Sequence, residues 1–260
     1  MHVLSPGAVL CLLAILVAAL AAQPVAAGSR GDTPGVIDTA RLDAFVGERV
    51  RRHGLPGLAL GVVEGDRIVH LRGYGAADSA RPVTPQTPFL LASVSKPLTA
   101  TAVMQLVEAG RVELDAPVVR YLPDFRMADP DASARITVRH LLQHTSGLPL
   151  TACDTRAEAA TLAEYAAELR TVALAAEPGA RHRYCSGNYN LLGRVVEVVS
   201  GQPFGDYMQR QVFAPLAMRH AFADERAAQR AGLARGHRCS SGRPARPTSA
   251  TTPRSCPRAS

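Results

Sequence analysis

The sequence predicts an α+β fold: an antiparallel sheet flanked by helices, with a mostly helical second lobe. Three observations carry the prediction. An amphipathic stretch, Asp38 to His53, leads into two strand-like runs that share a Gly65-Asp66 turn. A second helix then opens at Ser93, and further helical stretches follow as far as Val212. At 260 residues the chain is long enough for a buried core.

Ahead of these elements, residues 1–27 read as an export signal. Ala8 to Ala22 is an almost wholly apolar run of 15 residues. That is shorter than the ~20 a membrane-spanning helix needs. Val25-Ala26-Ala27 then offers small residues for cleavage before Gly28. His2 is the only basic side chain ahead of the run, so an uncleaved N-terminal anchor is the rival reading. Membrane contact is expected only in that case. Either way the protein is expected to be secreted or held in the cell envelope.

The folded domain is expected over residues 36–225. Asp38 or Thr39 caps the first helix, and its Leu42, Phe45, Val46 and Val50 share one face. Leu55-Pro-Gly57 ends it. Leu58–Glu64 and Arg67–Gly73 form the hairpin, and the polar, proline-rich stretch from Ala76 to Pro88 is a surface connection.

Chemistry gathers on the helix from Ser93 to Gly110. Val103 with Leu106, and Met104 with Val107, make an apolar stripe, and Gly110 stands where a left-handed cap belongs. Ser93 and Lys96 are three apart, so on a helix their side chains meet. A serine hydroxyl is a weak nucleophile until a base takes its proton, and a partly buried lysine can be made neutral enough to do so. The helix N-terminus adds free N–H groups and a positive field for a developing oxyanion. Composition singles out this lysine. Of 29 Lys plus Arg residues, Lys96 is the one lysine. Arginine keeps its proton and cannot replace it as a base.

Phe89-Leu-Leu-Ala-Ser-Val-Ser-Lys96, followed by Val112-Glu-Leu-Asp-Ala-Pro-Val118 and Tyr121-Leu-Pro123, resembles the serine β-lactamase-related hydrolases. These include class C β-lactamases, penicillin-binding D-Ala-D-Ala carboxypeptidases, esterases and D-aminopeptidases. The resemblance covers about residues 40–235 and implies a β-lactamase/transpeptidase-like fold, with the site between sheet and helical lobe at the start of the Ser93 helix. It implies Ser93 as nucleophile and Lys96 as the acceptor of its proton.

Arg139-His-Leu-Leu-Gln-His-Thr-Ser-Gly-Leu-Pro149 resembles a second stretch of the family. One reading pairs His144 as base with Ser146. Ser146-Gly147 lacks the Gly-x-Ser-x-Gly elbow that presents a hydrolase serine, and no such elbow occurs in the chain. His140, His144 and Ser146 are therefore expected to cap and brace a loop flanking the site. Residues 153–176 are Ala- and Glu-rich and read as helical.

The third stretch runs from Glu177 to Gly193. Tyr184 falls where the family places a Tyr-x-Asn tyrosine, which implies that it shares a proton with the lysine and passes it to the leaving group. Free Tyr and Lys titrate close together, so small shifts move one proton between them. Ser186 stands where many members carry Asn. Its hydroxyl can bond the lysine or a substrate carbonyl, so Ser186 is expected to bind substrate, without the amide's paired donor and acceptor. Asn188 and Asn190 are expected to cap and support the helix running to Ser200, and Pro203 to open another through Val212.

Residues 226–260 differ. They hold eight arginines and no acidic residue, while the rest of the chain, with 21 basic and 22 acidic residues, is near neutral. The sequence pI of about 9.6 thus belongs to this Arg/Pro/Ser-rich segment, which is expected to be disordered. It lacks interleaved aromatics and any nucleic-acid fold signature, so no nucleic-acid partner is expected. The family carries a further Lys/His-Thr/Ser-Gly or His-x-Gly motif on a strand opposite the nucleophile. Arg235-Gly-His-Arg-Cys-Ser-Ser-Gly242 holds suitable letters but no strand-like run. The C-terminal strands are thus expected to be missing, and the chain to be a poor catalyst for want of them.

Cys153, Cys185, Cys239 and Cys256 allow three full connectivities and have no zinc-type spacing. Neither metal nor cofactor is expected. The expected function is a serine hydrolase cleaving a small-molecule, peptide or ester substrate through an acyl-enzyme on Ser93. The alternative is a non-catalytic remnant or binding protein of the same fold.

Overall fold

The computed structural model describes residues 37–153, 161–237, 239–240 and 243–244. The expected export signal lies outside them. The chain divides into two units at Leu42 and Asp43; the first is described only over the start of one helix, and the second holds every other element.

Helix α1, Thr39–Arg52, begins where Asp38 Oδ1 accepts the N–H of Arg41 at 2.9 Å, so that of the two expected caps Asp38 is the one used. Val50 on it is buried, but Phe45 is exposed. Strands β1, Gly57–Glu64, and β2, Arg67–Gly75, pair antiparallel from Gly57↔Gly75 to Glu64↔Arg67. Gly65 turns the chain with φ 60°, the left-handed conformation a two-residue hairpin loop requires. Asp43 ties α1 to this ribbon, accepting from Tyr74 Oη at 2.5 Å and facing Arg72 and His70. The sheet is small. No hairpin residue joins the core, and Val63, Ile68 and Leu71 are exposed.

The helix expected from Ser93 differs in one respect from its sequence reading. Ser93 lies in a single 3₁₀ turn, Ala92–Ser95, and the α-helix proper, α2, is Lys96–Glu108. Pro97 is the reason. It has no N–H to give the Ser93 carbonyl, and its ring would clash there in a continuous α-helix. The N–H of Lys96 bonds Ser93 O instead, tightening the turn. Gly110 takes the expected left-handed conformation, φ 68°. Thr99, Ala102, Val103 and Leu106 are buried, whereas Met104 is exposed, so the apolar stripe is narrower than the sequence implies.

Short helices α3, Pro130–Ala134, and α4, Val138–Leu142, follow. Thr137 and His140 close a reciprocal capping box on α4, confirming His140 as a capping residue. The helix expected over 153–176 is much shorter. Only α5, Leu162–Glu168, and a 3₁₀ turn to Thr171 form, with 154–160 outside the described residues. Thr161 sets that start: its backbone is extended, its Oγ1 accepts the Glu164 N–H, and Glu164 reaches back to its own.

Helix α6, Ser186–Ser200, ends at left-handed Gly201. Helix α7, Phe204–Tyr207, passes into a π-helical turn, Met208–Phe213, so the stretch to Val212 is helical but not α throughout. Helix α8, Glu225–Arg230, crosses the expected domain boundary. Beyond it, Ala234 N–H bonds Pro88 O at 2.9 Å and Arg235 N–H bonds Ala77 O at 2.8 Å. Residues through Arg235 therefore lie against the 76–88 connection rather than in a loose tail. Strands β3, Cys239–Ser240, and β4, Arg243–Pro244, pair where no strand-like run was expected. Residues 245–260 lie outside the description.

The core is in the helical lobe. α2 packs on α6, with Val103 and Leu106 in one cluster with Leu191, Leu192, Val195 and Val196, and Leu141, Tyr165 and Phe213 close around it. Burying each such aliphatic side chain stabilises the fold by about 1.5–3 kcal/mol. Two glycines show how tightly the lobe is built. Gly147 has φ 83°, and a Cβ there would meet Ala176 O at 2.0 Å; Gly201 has φ 73° with nothing within 4 Å. Gly201→Ala should therefore cost about 1–2 kcal/mol for the backbone alone. Gly147→Ala should cost that plus a further ~1–3 kcal/mol of overpacking. Urea unfolding of both variants checks the difference, and equal losses would refute the close approach.

Candidate active site

Ala92, immediately before the candidate nucleophile, has φ 47°. A non-glycine residue held there stores on the order of 1–3 kcal/mol, a strain that clusters at functional sites. The turn it makes leaves Ser93 exposed at the mouth of α2.

Four predicted residues meet there. Lys96 Nζ donates to Ser93 Oγ at 3.2 Å and to Ser186 Oγ at 3.3 Å. Tyr184 Oη donates to Ser93 Oγ at 2.6 Å. Lys96 Nζ also lies 4.9 Å from the Tyr184 ring centre and 5.6 Å from that of Tyr189. Lys96 comes from the first turn of α2, Ser186 from the first residue of α6, and Tyr184 from the extended chain just ahead of it. Ser186, expected to bind substrate, here accepts a hydrogen bond from the lysine.

The electrostatics favour an ionisable phenol. Burial alone would raise the Tyr184 proton affinity, but hydrogen bonding with Lys96 and Ser93 and the Lys96 charge outweigh it and set the phenol below the ordinary tyrosine value. The site is open to water: Tyr184 is 49% exposed, and Leu90 and Val94, close to Ser93 in the chain, are 69% and 70% exposed.

The second family stretch lies behind Tyr184. Ser146 is buried, and its hydroxyl donates to the buried Asn188 Oδ1 at 2.6 Å rather than to a histidine. His144 Nδ1 faces the N–H of Cys185 and Asn188 Nδ2, both at 3.2 Å. His144 is thus not a base for Ser146. It braces, as expected, but its ring also stacks 4.6 Å from that of Tyr184. Burial first, then the charges of His182 and Lys96, holds His144 below the usual histidine range.

Two features escaped the sequence reading. Asn188 is not a cap but an interior hydrogen-bonding residue, and the signal was its place one turn ahead of the buried Leu191 and Leu192. Cys153 and Cys185 form a disulfide that anchors the residue after Tyr184, a pairing that spacing leaves open.

A beta-lactamase family model matches residues 42–256. Penicillin-binding protein 4 of Amycolatopsis lactamdurans is 37% identical over 193 residues, which span 71% of this chain and 49% of that protein. Esterase EstB of Burkholderia gladioli is 36% identical, spanning 69% of this chain and 50% of its own length. Among solved structures, the octameric penicillin-binding protein homologue from Pyrococcus abyssi superposes with a TM-score of 0.68 at 28% identity, covering 81% of this chain and 51% of that one. The chain spans about half the length of the curated relatives it matches. With the match running through both helices that carry the site, the chain belongs to the beta-lactamase family and has its fold.

Proposed function

We propose that the protein is a serine hydrolase that cleaves an amide or ester bond, in a β-lactam, a D-amino-acid peptide or a carboxylic ester, through an acyl-enzyme on Ser93. One observation carries the reading: Ser93 Oγ is held at once by Tyr184 at 2.6 Å and by Lys96 at 3.2 Å. That is the contact a nucleophile needs with the groups that take its proton.

The steps follow from the geometry. Ser93 Oγ attacks the substrate carbonyl carbon while its proton passes to the Lys96–Tyr184 pair, which shares it. Tyr184 Oη is the nearer atom, and its lowered proton affinity makes the phenolate accessible. The oxyanion takes a hydrogen bond from the Ser93 backbone N–H. When the tetrahedral species collapses, Tyr184 returns the proton to the departing amine or alcohol. Water then attacks the ester carbonyl, giving its proton to the same pair, and Ser93 is regenerated. Ser186 steadies Lys96 by accepting a hydrogen bond from it at 3.3 Å. No step calls for metal or cofactor. The apolar run at Ala8–Ala22 supports a secreted or cell-envelope location.

A non-catalytic binding protein is the second reading. The exposure of Leu90, Val94 and Tyr184 favours it, because oxyanion stabilisation weakens where water reaches the donors.

Labelling separates the two. A fluorescent penicillin or fluorophosphonate should attach covalently to Ser93, and Ser93→Ala should abolish the adduct; a label on Ser146, or none at all, refutes the hydrolase reading. Lys96→Arg keeps a positive charge but cannot act as a base, so acylation should fall by about 10²–10⁴. Retention of most of the rate would reduce Lys96 to an electrostatic neighbour. The pH dependence follows from Tyr184. Its proton affinity is lowered, so acylation should rise with pH to a plateau reached below the ordinary tyrosine value of 10.0. Tyr184→Phe should remove that rise, and an unchanged pH–rate curve would exclude the phenol from proton transfer.

A further inference from the structure

We propose that His144 is a positioning residue for Tyr184, clamping the chain on both sides of the phenol, and that it does so only as the neutral Nε2–H tautomer. The inference deepens the hydrolase reading and rests on it for its catalytic meaning.

The clamp has two arms. The N–H of Arg183 donates to the His144 carbonyl oxygen at 2.7 Å, and the N–H of Cys185 donates to His144 Nδ1 at 3.2 Å. The residues immediately before and after Tyr184 are therefore tied to one histidine. Its ring lies against the phenol between them, centroids 4.6 Å apart. Tyr184 needs such restraint. It is half exposed and sits ahead of α6 rather than in it, so no helical bond fixes its backbone. Its 2.6 Å contact with Ser93 Oγ survives only if its neighbours cannot move.

A buried relay sets the tautomer. A backbone N–H only donates, so Nδ1 must present its lone pair to Cys185. Asn188 agrees. Ser146 Oγ receives the Leu148 N–H at 3.4 Å and passes its own hydrogen to Asn188 Oδ1 at 2.6 Å. That turns the amide NH₂ of Asn188 toward Nδ1, 3.2 Å away. The serine of the His-Thr-Ser-Gly stretch, unused in the chemistry, thereby orients the histidine. His144 is also held at φ 58°, an uncommon backbone conformation for a non-glycine residue.

Protonation at Nδ1 would set three donors against one another and open the Cys185 arm. The groups facing the ring are His182, Lys96, Tyr184 and Tyr189. Two of these are basic and oppose a charge on His144, and no carboxylate is among them. The neutral form is thus favoured in the fold. Below the ordinary histidine value of 6.5 the unfolded chain takes up a proton that the folded one refuses, so stability declines as pH falls from there.

The test is an NMR experiment on the full chain with ¹⁵N-histidine and ¹³Cζ-tyrosine, Tyr184→Phe assigning the phenol. In the unsubstituted protein His144 should be the Nε2–H tautomer; an Nδ1–H tautomer overturns the proposal without any variant being needed. His144→Phe keeps a ring and removes the acceptor, and should raise the Tyr184 proton affinity about tenfold or more. His144→Asn keeps an acceptor near Nδ1, tolerates the left-handed backbone and cannot be charged, so the Tyr184 proton affinity should stay within about threefold. An unmoved Tyr184 titration in His144→Phe, or an equal shift in both variants, overturns the clamp. Failure of Ser93 labelling would sink the hydrolase reading separately, since the tyrosine titration requires no turnover.

Discussion

The packing of α2 on α6 is the interaction on which the site depends. Ser93 stands 91 residues ahead of Tyr184 and Lys96 stands 90 ahead of Ser186, and the polar contacts that join them are too weak to bring them together. A typical intramolecular hydrogen bond contributes on the order of 0.5–1.5 kcal/mol net, and three such bonds join these residues, two exposed and one part-buried. A single buried Leu or Val contributes about 1.5–3 kcal/mol, and Val103, Leu106, Leu192, Val195 and Val196 all lie in the shared cluster. The apolar seam assembles the site; the polar contacts only orient it. This explains why both halves are placed at helix starts, where a side chain can leave a packed seam and still face a ligand.

What was legible in the sequence follows the range of the forces involved. Ser93 and Lys96 could be paired from spacing alone, because residues three apart meet on a helix or a 3₁₀ turn alike. The turn's true geometry depended on Pro97 and the carbonyl it cannot bond. Tyr184 and Ser186 were reached through resemblance, since nothing local to residue 184 says which helix it will face. The short α5 came from a capping residue, Thr161, overriding the propensity of an Ala- and Glu-rich run. The Cys153–Cys185 bond and the interior role of Asn188 are tertiary facts with no local trace beyond a polar letter in an apolar helix.

The hairpin lobe shows the converse. Its two strands and their turn were readable, and so was a cap at Asp38 or Thr39, being set within a few residues; the register shift between Val62 and Val63 was not. Its contribution to the core was not. Phe45, Val63, Ile68 and Leu71 stay exposed, and the Asp43 cluster with Tyr74, Arg72 and His70 ties α1 to the ribbon. Partly solvated bonds of this kind orient strands well and stabilise them weakly. A two-stranded ribbon in water is marginal on its own. Stability in this chain is therefore uneven, high around α2 and α6 and low at β1 and β2.

The use of a single lysine completes the logic of the site. Arg72, Arg81, Arg120, Arg135, Arg139 and Arg194 each face a carboxylate, and their charge is cancelled there. Lys96 faces none among the described residues; its partners are two hydroxyls and two aromatic faces. Against the opposing effect of burial, its hydrogen bonding and then its charge act on Tyr184, and both lower the proton affinity of that phenol. A guanidinium would spread that charge over a planar fork and remain protonated whatever its surroundings. The pattern of partners, more than the presence of a serine and a lysine three residues apart, is what makes this corner of the fold chemically distinct from the rest of its surface.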